Sequence, residues 1–454
     1  MVVGLLSLVL LNGFSVFWAP QVPTVQLKDN STIVGQLVQR RVRPGSPALN
    51  PVYERQYQVG LRELNGFSYI WKDEGDIVKE FFNAETMGLE RVENGPAFVT
   101  PVAIIDSQGR RISATDSEFK ANLQKELFHA AEIRDQVHEI SRGKIGDVNR
   151  ELEALRIELR RAEDKGLPTE EIQGKVTRLD KQFAELKSQA ELILAQGSKA
   201  KLIAHDASGR DVSLAFSTLI RAWTPNQMSF FERIELLFHR LGEFLFDEPR
   251  EANTEGGLMP AIFGTLVMTV FMSLLVTPFG VITAIYLREY AQDGPILRIV
   301  RICVNNLAGV PSIVFGVFGL GFFVYVLGGS IDRLFYADQL KYNNNTPVFG
   351  TGGLLWCSLT LALMTLPVVI VATEEALSAV PRGMREASLA AGASKWQTIR
   401  DILLPASAPG ILTGVILAMA RGAGEVAPLM LVGVVKLAPT LPLDTMAPFL
   451  HMDR

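Results

Sequence analysis

The charges of this chain are sorted along it as no single water-soluble globule would sort them. Residues 1–27 carry no Asp, Glu, Lys or Arg, residues 28–255 carry 69 of these, and residues 256–454 carry only 23. Four charge-free windows, 1–27, 256–287, 302–331 and 342–373, exceed the roughly 20 residues that a helix needs to cross a bilayer. A fifth, 402–435, is interrupted only by Arg421 and Glu425. The pattern predicts membrane spans at 1–19, 258–286, 303–328, 352–372 and 408–435. No basic stretch precedes the first, and no small-residue cleavage pattern follows Phe17-Trp18-Ala19. It therefore reads as an uncleaved span rather than a signal peptide.

Short loops orient the spans. Loop 287–302 holds Arg288, Arg298 and Arg301, and 373–407 holds Arg382, Arg385, Lys395 and Arg400, whereas 329–350 has only Arg333 and Lys341. Basic short loops stay on the cytoplasmic side, so 287–302 and 373–407 are expected inside and 20–257 outside. A net charge of −4 with no basic face argues against nucleic acid. Cys303 and Cys357 lie in apolar runs without Cys/His spacing, which suggests neither a metal site nor a disulfide framework. No G-x4-G-K-[ST] pattern occurs, so ATP would have to be bound by another chain.

The large insert reads as α+β. Residues 20–115 and 197–227 alternate β-type runs with turn signals and are expected to form the two parts of one β module. Two stretches, Ala103-Ile104-Ile105-Asp106-Ser107-Gln108-Gly109-Arg110 and Leu202-Ile203-Ala204-His205-Asp206-Ala207-Ser208-Gly209-Arg210, share a strand–Asp–x–x–Gly–Arg form and read as matching hairpins. Between them, 116–196 is expected to be a helical arm, opened by a Thr115-x-x-Glu118 capping box. Leu152, Leu155, Leu159 and Ala162 step by 3 and 4 before Gly166-Leu167-Pro168. Ile172, Val176, Leu179, Phe183, Leu186, Ala190 and Ile193 continue the same steps after it. That seam predicts an antiparallel coiled-coil hairpin, either a self-packed arm or one that binds a partner. Residues 228–257 hold an aromatic amphipathic stretch, read as an interfacial helix touching membrane lipid, and the linker to the next span.

The segment 373–407 carries the most specific signal. Glu386-Ala387-Ser388 is followed after three residues by Gly392, and after nine more by Ile402-x-Leu404-Pro405. This spacing suits a short amphipathic helix, a turn that needs glycine, and a second helix entering the membrane at Pro405. It resembles the E-A-A-x3-G-x9-I-x-L-P motif of ABC importer permeases, with Ser388 in place of the second Ala. Ala284-Ile285-Tyr286-Leu287-Arg288-Glu289-Tyr290-Ala291, 306–316 (Asn306-Leu307-Ala308-Gly309-Val310-Pro311-Ser312 onward) and Gly424-Glu425-Val426-Ala427-Pro428 make 247–450 similar to the PstA-type permeases of phosphate ABC importers.

That resemblance implies a MetI-like α-helical integral membrane bundle over 258–454 in the bacterial inner membrane, with 20–257 as a periplasmic insert. It also implies a PstC-type partner permease, a dimer of a separate ATPase and a periplasmic phosphate-binding protein. The chain itself would be a transporter subunit and not an enzyme, with no catalytic residue, metal or cofactor of its own. Glu386, Ala387, Gly392, Ile402, Leu404 and Pro405 would couple it to the ATPase. The insert is far longer than such permeases usually carry, and a last span is missing, so the ends are expected to be truncated. A membrane scaffold or signalling protein acting through the arm, and an importer of another oxyanion, are the alternatives.

Arg421 and Glu425 stand out without any family. An ionisable side chain inside a membrane is costly and should face a partner. At i and i+4 on one helix the two are expected to pair, either as structure or with Arg421 meeting a passing anion that Glu425 helps to release. Asn305, Asn306, Ser312 and Thr277 are further pathway candidates, although residues of these kinds are more often helix–helix packing contacts.

Overall fold

A computed structural model describes residues 2–47, 51–250, 255–342 and 347–433. The chain divides into two compact units, 1–257 and 258–454.

The first unit opens with the apolar helix Val2–Phe17. At about 1.5 Å per residue its 16 residues reach about 24 Å, short of a bilayer's hydrocarbon core of about 30 Å. Four helices among the described residues are long and apolar enough to cross, and this is not among them. The expected five spans are thus four long helices and one shorter apolar helix. Behind it the chain is pinned by Asn226, whose Oδ1 accepts from the Val22 amide (2.8 Å) and whose Nδ2 donates to the Val22 carbonyl (2.9 Å).

The main strands that follow among the described residues are β1 (Thr24–Leu27), β2 (Thr32–Val34), β3 (Gln36–Val42), β4 (Tyr53–Gln58), β5 (Tyr69–Asp73), β6 (Ile77–Phe81), β7 (Met87–Arg91), β8 (Ala97–Ile105), β9 (Arg111–Ser113), β10 (Lys201–His205), β11 (Asp211–Ala215) and β12 (Leu219–Trp223). They form two three-stranded sheets, β2-β1-β6 and β3-β4-β5, and a larger sheet β11-β10-β8-β7-β12, with β9 pairing β8. The two Asp-x-x-Gly-Arg hairpins, β8–β9 and β10–β11, are neighbours in that sheet, because β8 pairs β10 antiparallel. Their turns are built alike. Asp106 Oδ1 accepts from the amides of Gln108 and Arg110, and Asp206 Oδ1 from those of Ser208 and Arg210. In each, Oδ2 takes the guanidinium of the Arg four residues on. The glycines, Gly109 and Gly209, have φ of +85° and +78°, where a Cβ would be strained.

Helical structure runs from Phe119 to Asp164, as Phe119–His138, the π-helical Glu139–Lys144 and Ile145–Asp164. It returns as Glu170–Gly197 after a turn where Gly166 has φ +66°. The expected seam residues Ile172, Val176, Leu179, Phe183, Leu186, Ala190 and Ile193 are all at least half-buried, while their neighbours on Glu170–Gly197 are mostly exposed. The Thr115–Glu118 capping box does not form. Glu118 itself takes the N-cap place without a side-chain bond, and Asp116 closes the turn by accepting from the Ser113 amide (2.9 Å). The base of the arm is not separate from the β module either. Phe119, Leu123 and Ala130 are buried in one core with Leu89, Ile104, Leu202 and Leu219. The aromatic stretch forms the helix Phe230–Phe246, opened by a Ser229/Glu232 capping box, with Phe231 80% exposed.

In the second unit the long helices are Met259–Tyr290, Ser312–Phe335, Leu354–Ala379 and Lys395–Ala423, numbered here as spans one to four. Span three is central: 67% of its apolar window is buried, against 28–33% for the others. It packs on span four through small residues. A Cβ on Gly410 or Gly414 would lie 2.7 or 2.4 Å from the methyls of Ala376 and Ala372, so glycine sets how closely the two backbones approach. Two expected boundaries move. The window drawn at 303–328 is two helices, Pro295–Leu307 and a span starting at Ser312, because Gly309-Val310-Pro311 breaks the ladder between them. The window drawn at 408–435 holds the end of a helix that runs Lys395–Ala423 and then a second short helix, Ala427–Val432.

Candidate functional site

The 373–407 segment is knit together from residues close in sequence. Helix Arg382–Ala390 ends in a Schellman turn: the Gly392 amide donates to Leu389 O (3.0 Å) and the Ala393 amide to Ser388 O (3.2 Å). Gly392 has φ +88° with nothing within 4 Å of a would-be Cβ. Backbone conformation, not space, therefore requires glycine there. Ser394 then caps the next helix in a capping box with Gln397, an S-x-x-Q signal readable from sequence that the reading above passed over.

Ser388, the departure from E-A-A, has its own role. It is buried, and its hydroxyl lies 2.9 Å from that of Thr398, which also bonds Ser394 O. The pair holds the two helices of the segment together. Pro405 lies in the first turn of the α-helix Leu404–Ala423, as expected, but that helix does not begin afresh there. Helical structure already runs from Lys395, and a π-helical stretch at Ile399–Leu403 precedes Pro405, whose missing N–H would break a regular ladder. Glu386, Ala387 and Gly392 are exposed, with Leu389 (52%) and Trp396 (54%) beside them, while Ile402 and Leu404 are half-buried. The segment thus exposes Glu386 together with the apolar side chains of Leu389 and Trp396.

Arg421 and Glu425 meet, but not as one helical face. The helix ends at Ala423 with Gly424 as its C-cap, and Glu425 lies in the turn, its amide on Gly422 O (3.3 Å). Arg421 Nε and Glu425 Oε1 are 3.9 Å apart, an ion contact without a hydrogen bond. The pair stands at the end of span four rather than near its middle, where the guanidinium also suits the helix's negative terminus. Of the other candidates, Thr277 donates its hydroxyl to Ser273 O (2.7 Å) within span one. Ser312 is the first residue of span two, whose Gly316 packs on Pro428 just past Glu425. Asn305 and Asn306 are exposed on the separate helix Pro295–Leu307. The structure therefore gathers Arg421, Glu425 and the start of span two into one region, and leaves the two asparagines outside the spans.

Residues 276–444 match the family described as binding-protein-dependent transport system inner membrane component. Over 179 residues the chain is 40% identical to the phosphate transport system permease protein PstA of Mycobacterium leprae, covering 39% of this chain and 52% of that protein. The probable ABC transporter permease protein YqgH of Bacillus subtilis is 33% identical over 199 residues, 43% of this chain and 59% of the relative. The chain thus spans between about half and three fifths of the length of these relatives. Among solved structures, the MetNI methionine ABC transporter aligns with 36% of this chain and 68% of its own at 23% identity, with a TM-score of 0.30, too slight a superposition to carry an argument. By its sequence, the carboxy-terminal part of this chain is similar to the inner membrane components of binding-protein-dependent transport systems and to the PstA phosphate permeases.

Proposed function

We propose that this chain is a transmembrane permease subunit of an ATP-driven phosphate importer in the bacterial inner membrane. It forms the translocation path with a PstC-type partner permease. A separate ATPase dimer docks on the 373–407 segment, and a periplasmic phosphate-binding protein delivers the anion. Residues 20–257 lie on the periplasmic side, with 116–196 as an antiparallel coiled-coil arm and Phe230–Phe246 on the lipid surface. The chain uses no cofactor of its own, and ATP is bound by the partner. The observation that carries this reading is the 40% identity to PstA together with an exposed Glu386–Ala387 helix closed at Gly392. Such a helix is a compact handle by which an external stroke can move the spans. Within the path, Arg421 attracts the phosphate, which carries about −1.5 charge and suits a guanidinium, and Glu425 competes for Arg421 so that the anion leaves.

The test is labelled phosphate uptake by the reconstituted complex. ATP-dependent uptake that unlabelled phosphate suppresses, and sulfate does not, is the expected result. Uptake suppressed by another oxyanion instead would reassign the substrate, and no ATP dependence would overturn the importer reading.

A further inference from the structure

The segment's inner face holds a set of charges that the motif does not include. Glu289 lies in the π-helical turn Tyr286–Tyr290 at the end of span one, and its carboxylate is 2.7 Å from the Arg385 guanidinium. Arg385 stands immediately before Glu386 on the Arg382–Ala390 helix. Its Nη2 donates to the Leu377 carbonyl (2.7 Å) near the end of span three. The neighbouring Arg301 approaches Glu374 at 3.7 Å and donates to Leu287 O at 3.4 Å. Lys395, at the far side of the Gly392 turn, places its ammonium 4.9 Å from the centre of the Tyr290 ring.

These groups are enclosed but not saturated. The side chains of Arg385 and Glu289 are 22% and 11% exposed. Even so, Arg385 Nε and Thr373 Oγ1 are buried without an aligned hydrogen bond, and Glu289 Oε1, Arg301 Nε and Glu374 Oε1 have only their ion contacts. A fixed structural bridge would satisfy these atoms, since leaving them unpaired is costly. A cluster with two cations, two carboxylates and unused bonding capacity can instead take a second arrangement of the same partners.

We propose that Arg385 is a positioning residue which ties the Glu386–Ser388 helix to the ends of spans one and three, through Glu289 and the Leu377 carbonyl, and passes its displacement to them. This rests on the transport reading above.

The experiment compares Glu289→Gln, Arg385→Ala and the double variant in the full complex in proteoliposomes, reading phosphate moved per ATP hydrolysed. Each single change is expected to lower that ratio roughly tenfold, within the range of ordinary coupling energies. The double variant should match Arg385→Ala, because both act through one contact. Arg385→Lys should fall between, since an ammonium can meet Glu289 but not also reach Leu377 in the same geometry. The ATPase should stay bound throughout. Independent, additive losses, or an unchanged ratio, would overturn the proposal.

Hydrogen exchange over 382–390 judges the tie without any substrate. It should quicken in Glu289→Gln, and equal exchange would again overturn the tie. A wild-type complex that hydrolyses ATP without moving phosphate would instead refute the transport reading, leaving the exchange result to decide on Arg385.

Discussion

Two arginine–carboxylate groupings in this molecule are built on opposite plans. In the Asp106 and Asp206 turns each carboxylate takes two backbone amides and a guanidinium from within four residues. At Glu289, Arg385, Arg301 and Glu374 the partners come from separate helices and several polar atoms stay unsatisfied. The first plan closes a turn and fixes one structure. The second joins helices that are distant in sequence, which suits a segment expected to pass on a movement.

The sharpest way to break this contrast is to spoil the local closure inside the moving segment itself. Gly392→Val forces a β-branched residue to φ +88°, a strain of about 1–3 kcal/mol. It should lower phosphate uptake at least tenfold while membrane levels of the complex hold. Normal uptake in vesicles would mean that the turn's shape does not matter to coupling.

Arg421→Ala is expected to lower uptake by about tenfold, because it removes the guanidinium at the end of span four and leaves Glu425 facing no cation at close range. The exchanged pair, Arg421→Glu with Glu425→Arg, sharpens the reading. The two positions lie in different backbone conformations, helix and turn, so a pathway role predicts that the swap fails. Near-normal uptake by the swapped complex would leave the pair as structure only.

In the self-contained plan, Asp206→Ala strips the amides of Ser208 and Arg210 of their acceptor. It should destabilise the first unit by about 1–3 kcal/mol, read as a lower denaturant midpoint with uptake by the folded fraction unchanged. A shift no larger than that of the exposed Asp29→Ala would contradict the contrast drawn above.

Shortening the arm should matter less. Removing 146–188 behind a short Gly/Ser linker keeps Phe119, Leu123 and Ala130 in their core, whereas a cut at 116 would not. Uptake within twofold of wild type is expected, and its loss in a deletion that still reaches the membrane would favour a partner-binding arm.

The smallest effect concerns pH. Arg40 and Arg55 hold the Glu74 carboxylate down to about 2 from an ordinary 4.5. A value lowered by folding contributes stability that is fully present above the unfolded value and is lost as pH falls from there through the folded one. The denaturant midpoint of the first unit should therefore drop between pH 4.5 and 2 more in wild type than in Glu74→Gln. Parallel pH curves for the two would remove Glu74 from the account.

Where the causes are local, the sequence alone determined the outcome. Charge-free windows marked where the long helices lie, the x-x-Gly-Arg repeats marked both hairpin turns, and the spacing after Glu386 marked a glycine that must sit at positive φ. Each depends on residues within one continuous stretch of chain, so its physics is written in consecutive letters. Tertiary structure alone decided the rest. Thr115 and Glu118 fit a capping box, yet Asp116 closed that turn. Arg421 and Glu425 have helical spacing, yet the helix ends between them at Gly424. The hydroxyl pair of Ser388 and Thr398, and the joining of Glu289 to Arg385, depend on which helices end side by side. That is set by packing through small residues such as Gly410 and Gly414 against Ala376 and Ala372, and packing of this kind has no period in the sequence to announce it.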